Sequence, residues 1–167
     1  MLKEGRKAPL FKLLDQNGVE QSLKSVLGTW VLIYFYPKDD TPGCTKEACM
    51  IADVYKDFKR LKVTVFGVSK DTPKLHKKFA EKYNLPFTLL SDPAMEMMEK
   101  YGAFKEKKMF GKVARGTNRI SYLVSPDGKI AKVYPEVDPA THALQLIKDI
   151  KQLQKEEKKR QAETGAQ

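Results

Sequence analysis

Tyr36-Pro37-Lys38-Asp39-Asp40-Thr41-Pro42-Gly43-Cys44-Thr45-Lys46-Glu47-Ala48-Cys49-Met50 is the stretch from which the rest of this chain is organised, and it holds both of its cysteines. It follows the most apolar run in the sequence, WVLIYFY at residues 30–36. That run predicts a strand buried on both faces of a largely parallel sheet. Beyond it, Ala48, Ile51, Ala52, Tyr55 and Phe58 recur at helical spacing and predict a helix over residues 42–61. The cysteines therefore sit where a central strand ends and a helix begins, and open α/β sheets bind ligands near the carboxyl ends of their strands.

Thr41-Pro42 reads as an N-cap followed by proline at the first helical position. Cys44 then falls in the first turn, among amides that no helix carbonyl can satisfy. That end of a helix carries partial positive charge and favours a thiolate. A free cysteine with a pKa near ~8.5 is only a few per cent ionised at neutral pH, so lowering its pKa raises the reactive fraction by at most ~30-fold. Cys49 lies five residues on. In one regular helix the two α-carbons are separated by about 7.5 Å along the axis and their side chains diverge, whereas a disulfide needs roughly 4.4–6.8 Å and convergence. The two sulfurs can join only if the start of the helix unwinds, which suits a switchable bond and not a structural one.

Pro37-x-x-x-Thr41-x-x-Cys44 resembles the active-site signature of the peroxiredoxins, and Cys49 five residues later is similar to the bacterioferritin comigratory protein, or peroxiredoxin Q, subgroup. The similarity covers residues 8–150. It implies an α/β, thioredoxin-like fold, with a mixed central sheet flanked by helices and an N-terminal β-hairpin. It implies Cys44 as the peroxidatic cysteine, which peroxide oxidises to a sulfenic acid, and Cys49 as the resolving cysteine. Thr41 then holds the peroxide or thiolate through its hydroxyl, Pro37 shields the sulfur from water, and Arg119, in Arg-x-Ser-Tyr-Leu-Val, is the active-site arginine, with Arg115 as its competitor. Hydrogen peroxide and organic hydroperoxides are the implied substrates. Thioredoxin or a similar dithiol is the implied reductant of an intrachain disulfide, and a monomer is the implied assembly, with a dimer as the alternative. No cofactor and no metal are implied.

The remaining sequence predicts the frame for this site. Asn17-Gly18 between apolar runs predicts a hairpin over residues 10–23. A second buried strand is expected at residues 63–68, and Thr72-Pro73 opens a helix that Asn84 stops. A short strand at 87–90 and a helix at 94–101 follow. Residues 104–118 lack clean periodicity and read as a loop. Strands at 120–124 and 129–134 flank the Ser125-Pro126-Asp127-Gly128 turn, and Asp138-Pro139 caps a last helix. One domain over residues 1–154 is expected, with a leader or sheet edge at 1–7 and a charged tail at 155–167 as a frayed helix or disordered segment.

The net charge of +10 admits an acidic partner. The lysines are interleaved with acids along the chain, however, and no nucleic-acid-binding signature accompanies them, so a solvated surface is expected and no nucleic-acid partner. No apolar run approaches ~18 residues, so no membrane association is expected. Residues 1–7 lack the apolar stretch of a secretory signal, and two cysteines make no disulfide framework, so a cytoplasmic location is expected. His76 and His142 lack metal-ligand spacing, and the adjacent Asp39 and Asp40 must face different ways. Glu47 either orients the arginine or serves an exposed helix face. Two rival functions remain. A general thiol-disulfide oxidoreductase would want Cys-x-x-Cys, and a basic nucleic-acid-binding module would carry its cysteines incidentally.

Overall fold

Strand β3 (Trp30–Phe35) is buried at all six positions, as its uninterrupted apolar run requires. It lies inside a seven-stranded sheet of order β2-β1-β5-β4-β3-β8-β9. Around it the chain runs β1 (Lys12–Asp15), β2 (Glu20–Ser22), α1 (Leu23–Val26), β3, α2 (Pro42–Asp53), α3 (Tyr55–Arg60), β4 (Val63–Ser69), α4 (Pro73–Tyr83) and β5 (Thr88–Ser91). It continues with α5 (Glu96–Lys100), β6 (Phe104–Met109), β7 (Lys112–Thr117), β8 (Ser121–Val124), β9 (Ile130–Tyr134) and α6 (His142–Gly165). The computed structural model describes residues 1–165. Strands β3, β4 and β5 are parallel, and β1, β8 and β9 join antiparallel. The N-terminal hairpin and the mixed sheet flanked by helices are therefore present as expected.

The period-two geometry of β3 divides the core. Trp30, Leu32, Tyr34 and then Tyr36 face Cys44, Ala48, Ile51, Phe58, Phe79, Leu146 and Ile150. Val31, Ile33 and Phe35 face Leu23, Met97, Met98 and Tyr101 on the other side. The cysteine helix α2 is thus laid against one sheet face by the residues that also make it amphipathic. On that face Gly67 of β4 gives room to Tyr34, since a Cβ there would stand 2.8 Å from the Tyr34 ring. The Tyr34 hydroxyl is buried without a hydrogen-bond partner. Tyr34→Phe is therefore expected to raise stability by about 1–3 kcal/mol, because the orphaned donor loses its desolvation cost, and denaturant titration would read the gain.

Several expectations need correction. The single helix over 42–61 is two, broken at Val54, whose backbone leaves the helical region (φ −109, ψ 16) and whose N–H bonds Ile51 O at 3.2 Å in a tighter turn. The apolar stripe runs through both helices, so periodicity conceals the break. Residues 104–118 form no loop: β6 and β7 pair antiparallel from Phe104↔Thr117 to Met109↔Lys112. Phe110 and Gly111 make the two-residue turn with φ of 53 and 74, the positive values such hairpins need. Along β7, residues 112–115 are all exposed, so there is no alternation there to mark a strand.

Residues 1–7 form a sheet edge, with Lys7 bridging Lys129 and Gly5 N–H bonding Ile130 O at 2.8 Å. Helix α6 continues past Gln154, held by Gln154 Nε2 on Leu61 O (2.7 Å) and by Trp30 Nε1 on Glu157 (3.1 Å).

Candidate active site

Parallel strands β3 and β4 end side by side, and Tyr36 N–H still bonds Val68 O at 3.1 Å. The chain then leaves the sheet through Pro37–Thr41 and enters α2 with Pro42 in its first turn. Thr41 occupies the N-cap position with extended backbone (φ −101, ψ 155), and its carbonyl accepts Thr45 N–H at 2.8 Å. The expected side-chain cap is absent. The Thr41 hydroxyl instead donates to Lys38 O at 2.8 Å, closing the loop on itself and leaving its lone pairs free to accept.

Cys44 lies in the first turn of α2 and is 2% exposed. Arg119, between β7 and β8, places Nη2 3.5 Å from Cys44 Sγ and donates from Nη1 to Glu47 Oε1 at 3.0 Å. Glu47 follows Cys44 by three residues, so both share a helix face. Burial opposes the guanidinium charge, but its contacts with Cys44 and Glu47 outweigh this and raise the Arg119 pKa. Gly43 makes the approach possible, since a Cβ there would stand 3.1 Å from Arg119 Nη2. Arg115 is exposed on the β6–β7 ribbon and takes no part.

Glu47 is buried, not on an exposed helix face, and its Oε2 has no partner. Burial pushes its carboxyl up to about 7, against the pull of Arg119. A carboxyl whose folded-state pKa is raised binds its proton more tightly in the native state. Its stabilising contribution is therefore complete below about 4.5 and is lost as pH rises through about 7. Removing that titration in Glu47→Gln should reverse the balance. The parent should gain roughly 3 kcal/mol relative to the variant between pH 7 and pH 4.5, measurable by urea titrations across that range. His142 works in the opposite sense, because burial lowers its pKa to about 4.

Both cysteines are free thiols in this structure. Cys49 sits in α2 five residues from Cys44, which in a regular helix turns it about 140° away. Burial, with Asp53 adding, pushes the Cys49 thiol up, only partly offset by Lys46. A groove of about 820 Å³ between α6 and the β8–β9 turn contains neither cysteine, so chemistry and not cavity size marks the site.

Asp39 and Asp40 face apart as expected, the first toward His76 and the second toward Lys82 and Tyr83. Sequence reasoning missed the buried group Asp39, Asp71 and His76, whose ligand atoms lie within 4.8 Å of one another. Asp39 comes from a segment of the chain distant from Asp71 and His76, and no motif announces the three together. His142 is likewise buried, with Nε2 2.8 Å from Ser121 Oγ.

The chain is similar to known proteins. Peroxiredoxin Bcp of Escherichia coli is 44% identical over 141 residues, 84% of this chain and 90% of that protein. The bacterioferritin comigratory protein of Xanthomonas campestris, solved as trapped intermediate and ligand complexes bearing on its alkyl peroxide reduction activity, superposes with a TM-score of 0.81 at 33% identity, covering 84% of this chain and 90% of that one. A cysteine-to-serine mutant of X. campestris peroxiredoxin Q matches with a TM-score of 0.81 at 34% identity, over 84% and 90% of the two chains. The cysteine replaced there and the one replaced in a second mutant are far apart in sequence, unlike the close pair here. With a model of the AhpC/TSA family matching residues 5–133, the chain belongs to that family, and its site is built on the thioredoxin-like fold seen in the Bcp and peroxiredoxin Q structures.

Proposed function

We propose that this protein reduces hydrogen peroxide and organic hydroperoxides at Cys44. The observation that carries the reading is the Arg119 guanidinium bridging Cys44 Sγ and the buried Glu47 carboxylate at the start of α2. The Cys44 thiolate attacks one oxygen of the O–O bond. Sulfur becomes the sulfenic acid, and the other oxygen leaves as water or an alcohol after taking a proton. A gain of at most ~30-fold from thiolate fraction is small beside enzymatic accelerations of ~10⁶ or more. Most of the catalysis must therefore come from stabilising charge on the departing oxygen. Arg119 and the first-turn amides of α2 supply the donors. The Thr41 hydroxyl, its own hydrogen spent on Lys38 O, accepts the peroxide O–H. Pro37 covers the approach from water.

Cys49 then condenses with the sulfenic acid, releasing water and forming the intrachain disulfide. The start of α2 must unwind for this, since in the helix the two side chains diverge. An external dithiol, thioredoxin by analogy, returns both thiols. The reading places the protein in the cytoplasm, acting as a monomer, without a nucleic-acid or membrane partner. Among the described residues no helix is long and apolar enough to cross a membrane. Mass spectrometry after one equivalent of peroxide tests the reading. A loss of two hydrogens with an intramolecular 44–49 bond is the expected result, and untouched thiols would overturn it. The rival general oxidoreductase predicts dithiol exchange without peroxide, which a buried Cys44 and a diverted Cys49 disfavour.

A further inference from the structure

The segment between β3 and α2 is tied down at two adjacent residues, and both ties run to α4, which supplies no group to Cys44. Asp39 is the inner tie. Its Oδ2 lies 2.6 Å from His76 Nδ1, its Oδ1 accepts Tyr36 OH at 2.6 Å, and its N–H donates to Asp71 Oδ2 at 2.9 Å. His76 is fully buried, and its Nε2 lies 2.9 Å from Leu90 O. A carbonyl only accepts, so Nε2 donates to it, and a further hydrogen lies between Nδ1 and Asp39 Oδ2. Asp71 Oδ2 is further held by Ser69 Oγ at 2.6 Å. The group is therefore closed by its own hydrogen bonds and needs no metal ion to hold it together.

Asp40 is the outer tie. Its Oδ2 meets Lys82 Nζ at 2.7 Å and its Oδ1 accepts Tyr83 OH at 2.6 Å. Asp40 holds a left-handed backbone, φ 57, a conformation disfavoured for most residues that turns its side chain away from that of Asp39. His76 lies in the first turns of α4, and Lys82 and Tyr83 end it. The two aspartates therefore pin the loop along the length of this helix.

We propose that Asp39 with His76, and Asp40 with Lys82 and Tyr83, form a clamp that sets how fast the Cys44 sulfenic acid is handed to Cys49. This rests on the reading of Cys49 as the resolving thiol. The first turn of α2 hangs from the clamped loop through Thr41, so that turn can unwind freely only once the loop lifts from α4. Until it lifts, the sulfenic acid faces the pocket, where a second hydroperoxide converts it to sulfinic acid and leaves as water or an alcohol. After it lifts, the Cys49 thiol attacks the sulfenic sulfur, the S–O bond breaks, and water departs. His76, Lys82 and Tyr83 are positioning residues, acting through the loop and touching no reacting atom.

Asp40→Asn keeps a residue that tolerates the left-handed backbone and takes from the outer tie its charge and one of its two acceptor oxygens. Two readouts are needed: hydrogen exchange of the first-turn amides of α2 in the reduced protein, and the rate of 44–49 disulfide formation after a peroxide pulse. Both should rise together, by about two- to fivefold for so exposed a pair. The paired change Lys82→Met with Tyr83→Phe should give the same rise from the α4 side. Combined with Asp40→Asn it should give no more than the paired change alone, because both act on one contact. His76→Asn should raise both by about tenfold or more, since its tie is buried.

The rate of sulfenic acid formation, measured with Cys49→Ser in the background, should stay unchanged in the outer-tie variants, as a general loss of fold would not allow. Unchanged amide exchange and disulfide rate in Asp40→Asn would overturn the clamp. So would a parallel loss of both chemical steps. Faster exchange with no 44–49 bond in any of these proteins would overturn the Cys49 reading and, with it, the proposed handover.

Discussion

Arg119→Met is expected to slow oxidation of Cys44 by hydrogen peroxide about 10²–10³-fold, the usual consequence of losing a donor aimed at charge that develops in the transition state. Methionine keeps much of the apolar stem, so the change falls on the guanidinium. That group stands 3.5 Å from Cys44 Sγ and 3.0 Å from Glu47. Loss of ionisation alone cannot produce so large an effect, because the thiolate fraction of a cysteine has at most ~30-fold to give at neutral pH. Stopped-flow oxidation, set beside the pH dependence of Cys44 alkylation, separates the two contributions. A rate loss equal to the loss of thiolate would remove the transition-state role.

The variant also leaves Glu47 buried without its cation. Its carboxyl, already pushed up to about 7 with Arg119 present, would rise further and take up a proton. Adding Glu47→Gln to Arg119→Met should therefore restore stability near neutral pH without restoring the rate.

In Cys49→Ser, Cys44 should still be oxidised once, at a rate within about twofold of the parent, because Cys49 lies more than a helical turn away and faces elsewhere. Steady turnover with thioredoxin should then fall to the background level. Arrested protein should carry a sulfenic acid, visible as one added oxygen or as an adduct of a sulfenic-acid trap. Cys44→Ser should take up no oxygen at all. Normal turnover by Cys49→Ser would reassign resolution to an external thiol. Position in the helix argues against that outcome. Cys49 is half-buried, and its raised pKa keeps it a quiet thiol until local unwinding exposes it.

Much of this site is legible in one stretch of chain because its chemistry is local. Thr41, Pro42 and Cys44 are placed by the rules of a helix start, and the strand before them by an apolar run too long for a half-exposed position. Local rules fail where a partner comes from elsewhere. Thr41 has the cap residue type, yet its hydroxyl donates to Lys38 O and caps no helix amide. Glu47 looks like any helical glutamate until Arg119 arrives from 72 residues away. The ribbon of β6 and β7 was hidden by its exposure to water along β7, which leaves no alternation to read.

The buried strand β3, the helix start beneath Cys44 and the divergence of Cys49 were determined by the sequence alone, since each depends on residues within a turn or a strand of one another. Tertiary structure decided what surrounds the sulfur: Arg119 rather than Arg115, Glu47 as its buried anchor, and the two aspartates tied to α4. Such groups meet only after a sheet has stacked distant segments. Burial then gives their charges and hydrogen bonds a strength that no spacing along the chain can encode.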